Sequence, residues 1–113
     1  MLRCLALDPA RTLGWAFAEG TGEPQHGIYR LPSTFDGYGA YCHSYRRWLE
    51  GIAAALHPTL IAYESPILPK KSQISVLRGL YALGTLTEEV AYAANIECVE
   101  ADAQYVRKHF LGA

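Results

Sequence analysis

Short apolar bursts fill the first third of the chain, and a three- and four-residue beat replaces them afterwards. Residues 2–8 (LRCLALD), 13–19 (LGWAFAE) and 26–31 (HGIYRL) read as three strands. The breakers between the second and third are Gly20, Gly22 and Pro24. Strands this close in sequence, joined by short turns, predict an antiparallel meander. Over 36–56 the pattern becomes helical: Tyr38, Tyr41, Tyr45, Trp48, Leu49, Ile52 and Leu56 form one aromatic-rich stripe. His57-Pro58 ends that helix, because the residue before a proline avoids the helical region.

Residues 59–64 (TLIAYE) predict a fourth strand, SPILPKK a loop, and Ser72 the N-cap of a long helix over 73–94. That helix carries two apolar stripes. One is Ile74, Leu77, Tyr81 and Gly84, and the other is Val76, Leu80, Leu83, Leu86 and Val90. A helix apolar on two sides is buried on two sides. One side faces the sheet, and the other is expected to face a second subunit, with Gly79 and Gly84 allowing close approach. Residues 96–100 (IECVE) form a fifth strand, Asp102 caps a last helix over 103–110, and Gly112 stops it. The order β-β-β-α-β-α-β-α predicts an α/β fold: a five-stranded mixed sheet with helices on both faces. Right-handed crossovers make strand one central and strand four its parallel neighbour.

Composition narrows the classes. Half of the 113 residues are apolar and 19% are charged, which suits one packed domain and excludes disorder. A net charge of −1 gives no global basic signal, so any polyanion must be held by local clusters. No apolar run reaches the ~18 residues of a membrane helix. The N-terminus meets an acid at position 8, unlike a signal peptide. The default location is the cytoplasm. Cys4, Cys42 and Cys98 form no C-x-x-C pair, so neither a zinc knuckle nor a redox dithiol is expected. Cys4 and Cys98 read as small buried hydrophobes. His26, His43 and His57 lack metal-ligand spacing.

Two acids break the apolar pattern. Asp8 ends the first strand and Glu64 the fourth. An ionised carboxylate at the end of so apolar a strand costs several kcal/mol unless a cation or strong donors balance it. Two at equivalent strand ends point to a site that gathers negative charge around a metal ion, and so to a metal-dependent enzyme.

Three strings carry a resemblance over nearly the whole chain: LALDPARTLGWAF, LIAYESPI and EADAQYVRKHFLG. In this order they resemble the ribonuclease H-like superfamily, and within it the RuvC-type Holliday-junction resolvases, especially the short versions of phages and prophages. Asp8, Pro9 and Gly14 match the first-strand motif, although Ala10 stands where many relatives have Gly. The first string alone is also similar to sugar kinases and actin-like ATPases, but no second Gly-rich phosphate loop accompanies it. The resemblance implies a homodimer, joined through helix 73–94, that cleaves branched DNA with Mg²⁺, or with Mn²⁺ in its place. Asp8 and Glu64 would be the catalytic and metal-binding acids, with Asp8 bridging two ions and Glu64 holding one. Lys70, Lys71, Arg78, Arg107, Lys108 and Arg11 would contact DNA, whereas Arg30, Arg46 and Arg47 read as ordinary solvated groups. The family continues into a further helix with one or two aspartates, so residues 1–113 read as one nuclease domain truncated at its C-terminus, with low activity by itself. Two other readings stay open: a related nuclease acting on RNA or an RNA–DNA hybrid, and an inactive domain that binds branched DNA or a partner.

Overall fold

The antiparallel meander forms as the turn signals predict. In a computed structural model that describes residues 1–65 and 74–102, β1 (Arg3–Asp8), β2 (Thr12–Glu19) and β3 (Gln25–Arg30) pair in sequence order. A 3₁₀ turn (Thr34–Asp36) leads into α1 (Tyr38–Leu56), then β4 (Leu60–Glu64), α2 (Ile74–Ala93) and β5 (Glu97–Ala101). The sheet order is β3-β2-β1-β4-β5, with β4 parallel to both β1 and β5. Strand one is central, as expected. The expected Ser72 cap, helix 103–110 and Gly112 stop lie outside the described residues.

The single helix expected from residue 36 divides at Gly37. The Ser33 hydroxyl accepts from the Phe35 amide at 3.1 Å and caps the 3₁₀ turn. Gly37 then adopts φ 107, a region that side chains disfavour, and α1 restarts one residue later. At its other end α1 stops at His57 in the left-handed region (φ 52). Arg3 of β1 closes that end: its guanidinium donates to the His57 carbonyl at 3.0 Å and to the Leu56 carbonyl. The same group pairs with Glu19 at 2.7 Å.

Strand alternation sorts side chains onto two faces. Leu5, Leu7, Leu13, Phe17, Ile61 and Tyr63 join Tyr45, Leu49, Leu83 and Val90 of the helices in one core. Both described helices pack on this face. Tyr29 of β3 stacks on Trp48 of α1 at 5.2 Å. Gly27 of β3 makes room for Trp15, since a Cβ there would lie 3.0 Å from the indole. The opposite face carries Cys4, Ala6, Ala16 and Ala62, all buried.

The glycines of α2 correct an expectation. Gly79 lies against Tyr41 of α1, and a Cβ at Gly84 would come 3.2 Å from the Tyr63 ring of β4. They bring α2 close to its own chain rather than to a second subunit. Val76 also departs from Leu83 and Val90 of its stripe: it is 49% exposed, while they are buried.

One buried polar pair locks the helices together. Thr87 donates to the Leu83 carbonyl at 2.7 Å, so its single hydrogen is used, and it accepts from the Tyr45 hydroxyl at 2.5 Å. This predicts an asymmetry. Tyr45→Phe leaves Thr87 bonded to Leu83 and costs about 1 kcal/mol, whereas Thr87→Val strands a buried phenol and costs about 1–3 kcal/mol. Denaturant titration of the two variants gives this ranking.

Burial pushes the Cys4 and Cys98 thiols up to about 11 and the Tyr41 phenol up to about 12; for Cys98 the Glu88 carboxylate adds to the effect, and for Tyr41 the neighbouring Cys42 and Tyr38 do. Each group is held neutral when folded. Its contribution is present below its ordinary pKa of 9.0 or 10.0 and is lost as pH rises through the folded value. Melting temperature is therefore expected to fall as pH rises from 9 to 11, and Cys4→Ser and Cys98→Ser together to shallow that fall.

Candidate functional site

All parallel strands of the sheet run towards one end, and the two acids sit there. The pairing of Leu7 with Tyr63 ends the β1–β4 ladder, and the next step in that register sets Asp8 beside Glu64. Neighbouring strands lie about 4.8 Å apart, and residues in register share a face. Both acids therefore fall on the face opposite α1 and α2, next to Ala6 and Ala62. Glu64 is buried at 5% exposure, not partly exposed as an incidental strand-end residue would be, and Asp8 is half-buried. The partner of Asp8 across β2 is Gly14, which puts no side chain beside the carboxylate. On the other side, Ser65 anchors the end of β4: its amide and its hydroxyl both donate to the Ala101 carbonyl, at 2.8 and 3.3 Å. Among the described residues, the groups on both flanks of the pair are small or backbone groups.

Paired carboxylates supply hard oxygen ligands of the kind Mg²⁺ takes, usually one or two per ion, with water and substrate phosphate completing the octahedron. The donor set thus fits a hydrated Mg²⁺ ion. Among the described residues, no group of three or more His, Cys, Asp or Glu side chains could hold a metal. Asp102 follows β5 at the same end of the sheet but does not join the pair in such a group.

The basic residues divide. Arg11 lies in the β1–β2 connection, three residues beyond Asp8, and is exposed. Arg78, on the second turn of α2, holds its guanidinium 4.0 Å over the ring of Tyr38. Tyr38 in turn donates its hydroxyl to the Ser75 carbonyl at 2.8 Å. Lys70, Lys71, Arg107 and Lys108 lie outside the described residues. Arg46 pairs with Glu89 on the surface at 2.8 Å, as its reading as a solvated group implies. Tyr41 is core, 3% exposed, with its hydroxyl donating to the Gly79 carbonyl at 3.4 Å. The Tyr38–Arg78 stack escaped the sequence reading. Its members stand forty positions apart with no local pattern to link them.

No helix among the described residues is long and apolar enough to cross a membrane.

The strand order, the antiparallel meander and the parallel pairing of β4 with β1 and β5 define a ribonuclease H-like α/β fold, the fold of RuvC. Solved structures with this fold include Thermus thermophilus RuvC in complex with a Holliday junction substrate. It aligns at a TM-score of 0.77 and 11% identity over 96% of this chain and 69% of that one. A structure of Thermus thermophilus RuvC alone aligns at 0.70 and 13% identity, covering 95% of this chain and 68% of that one. The yeast mitochondrial Holliday junction resolvase Ydc2 aligns at 0.64 and 11% identity, over 88% of this chain and 50% of the resolvase. No protein-family model matches the sequence, and no curated protein is significantly similar to it.

Proposed function

We propose that this protein is a Mg²⁺-dependent, structure-selective endonuclease that cuts Holliday junctions or other branched DNA. The observation that carries the reading is the Asp8–Glu64 pair at adjacent parallel strand ends. Similarity of fold to two junction resolvases supports the choice of substrate. Asp8 and Glu64 would hold the ion, with Mn²⁺ able to replace Mg²⁺. When bound, such an ion polarises the scissile phosphate and makes its water a stronger nucleophile at neutral pH. The residues' own part is to fix the ion beside the backbone of the incoming strand.

Arg11, Arg78, Lys70, Lys71, Arg107 and Lys108 would meet phosphates, giving affinity and salt sensitivity but no base preference. Two copies of the chain suit a four-way junction cut symmetrically. Helix α2 offers the contact, because Ile74, Val76 and Tyr81 are exposed apolar residues on it.

Binding competition tests the substrate class. Unlabelled four-way junction is expected to displace a labelled junction at least tenfold better than linear duplex or an RNA–DNA hybrid of equal length. Preference for the hybrid would move the protein to ribonuclease H-type chemistry. Arg11→Ala is expected to weaken junction binding and to lower the slope of log affinity against log salt by about one.

A further inference from the structure

The β3 edge of the sheet presents an open row of hydrogen-bonding groups. Among the described residues β3 has a single strand neighbour, β2. Just past β3, the Leu31 amide donates to the Arg11 carbonyl at 2.7 Å. From there the β2–β3 register runs unbroken from Thr12–Arg30 to Phe17–Gln25. Antiparallel pairing alternates hydrogen-bonded and non-hydrogen-bonded positions. Tyr29 and Gly27 therefore turn their N–H and C=O groups towards β2, whereas His26, Ile28 and Arg30 turn theirs outwards. We propose that this edge docks an extended acidic segment of a partner protein, added as a strand beside β3. The inference stands on the fold and not on the branched-DNA reading.

The backbone is the first argument. Exposed edges are commonly blunted by an internal proline, lysine or bulge. Gln25–Arg30 contains neither residue, and no bulge interrupts its register. The side chains are the second. The three residues with outward backbone groups are also exposed, Ile28 at 70%. They share the face that carries Asp8, because Asp8 pairs with Gly14 and Gly14 with Ile28. Cross-strand neighbours decide which strand fits such an edge. Ile28 calls for an apolar residue, and Arg30, with His26 when protonated, calls for an acid two places to either side. Neither basic group has an ion-pair partner among the described residues. A second copy fits less well. Antiparallel self-pairing with full overlap sets Ile28 on Ile28 but His26 of each copy against Arg30 of the other, and like charges placed so are unfavourable. Nucleic acid also fits less well, since phosphates only accept and would leave the outward carbonyls unanswered. Adding a strand to a sheet edge uses both donors and acceptors.

The test titrates the full-length protein with a labelled peptide, Thr-Glu-Thr-Val-Thr-Glu-Thr, and reads fluorescence anisotropy. A peptide with Lys for both Glu is expected to bind about tenfold more weakly or worse. N-methylation of the central Val, which removes a donor aimed at β3, is expected to weaken binding by a similar factor. Ile28→Pro removes an outward N–H that β2 does not use, a place where an edge strand tolerates proline. It is expected to melt close to wild type and to lose the peptide. Arg30→Glu, at an exposed position, keeps the backbone and is expected to reverse the preference in favour of the Lys peptide. Equal binding of the Glu and Lys peptides, unchanged affinity in folded Ile28→Pro, or no peptide binding up to about 1 mM would overturn the proposal. Self-association of wild type that Ile28→Pro abolishes, without peptide binding, would give the edge to a second copy. Binding of an oligonucleotide but no peptide, weakened by Arg30→Glu, would give it to nucleic acid.

Discussion

Asp8→Asn and Glu64→Gln are each expected to lower junction cleavage by at least about 100-fold while leaving junction binding intact. The size follows from metal-site energetics: losing a group that only orients a ligand already costs 10- to 100-fold, and these would be ligands themselves. Both substitutions keep shape and remove charge. The amide of Asn or Gln offers one neutral oxygen where a carboxylate offered two charged ones, so it holds a divalent ion far less well. Binding should survive, because a carboxylate next to a phosphate backbone repels it, and metal-free affinity is expected to stay equal or rise. Stability should survive as well. Asn and Gln keep the shape of the acids they replace, so the melting temperature is expected to change little. A variant that loses cleavage and stability together would indicate a structural acid, so melting curves accompany the cleavage assays.

Leu5→Ala is expected to be the most damaging core change, costing about 2–5 kcal/mol. Leu5 is fully buried on the central strand, between β2 and β4, and belongs to the core shared by sheet and both helices. Its neighbours are held in the sheet ladders and cannot close over the void. Total stability of a domain this size is about 5–15 kcal/mol, so a large share would be lost. The melting temperature is expected to drop by roughly 10–20 °C, as read by circular dichroism. A drop of less than about 3 °C would mean that the sheet and helices do not share the core described.

The elements and the acid pair were legible in the sequence because they rest on short-range patterns. Strand alternation, helical spacing and turn residues located each described element to within two residues, apart from the split at Gly37. The rule of right-handed crossovers then ordered the strands, and so brought Asp8 to Glu64. What stayed hidden depends on contacts between distant segments. The Arg3 side chain closing α1 across 54 positions and the Tyr45–Thr87 bond across 42 leave no local periodicity. Gly79 and Gly84 were legible as sites of close approach, but not which neighbour approaches. Two glycines on an apolar stripe look the same whether they face a partner or their own sheet.

Incision of a defined four-way junction by the full-length protein tests the central claim most directly. With Mg²⁺, paired nicks at symmetric positions in two opposing strands are expected, with the linear duplex left uncut and the products lost when EDTA replaces the ion. Wild type that leaves the junction whole with both Mg²⁺ and Mn²⁺, or that cuts an RNA–DNA hybrid in preference to it, would contradict the account.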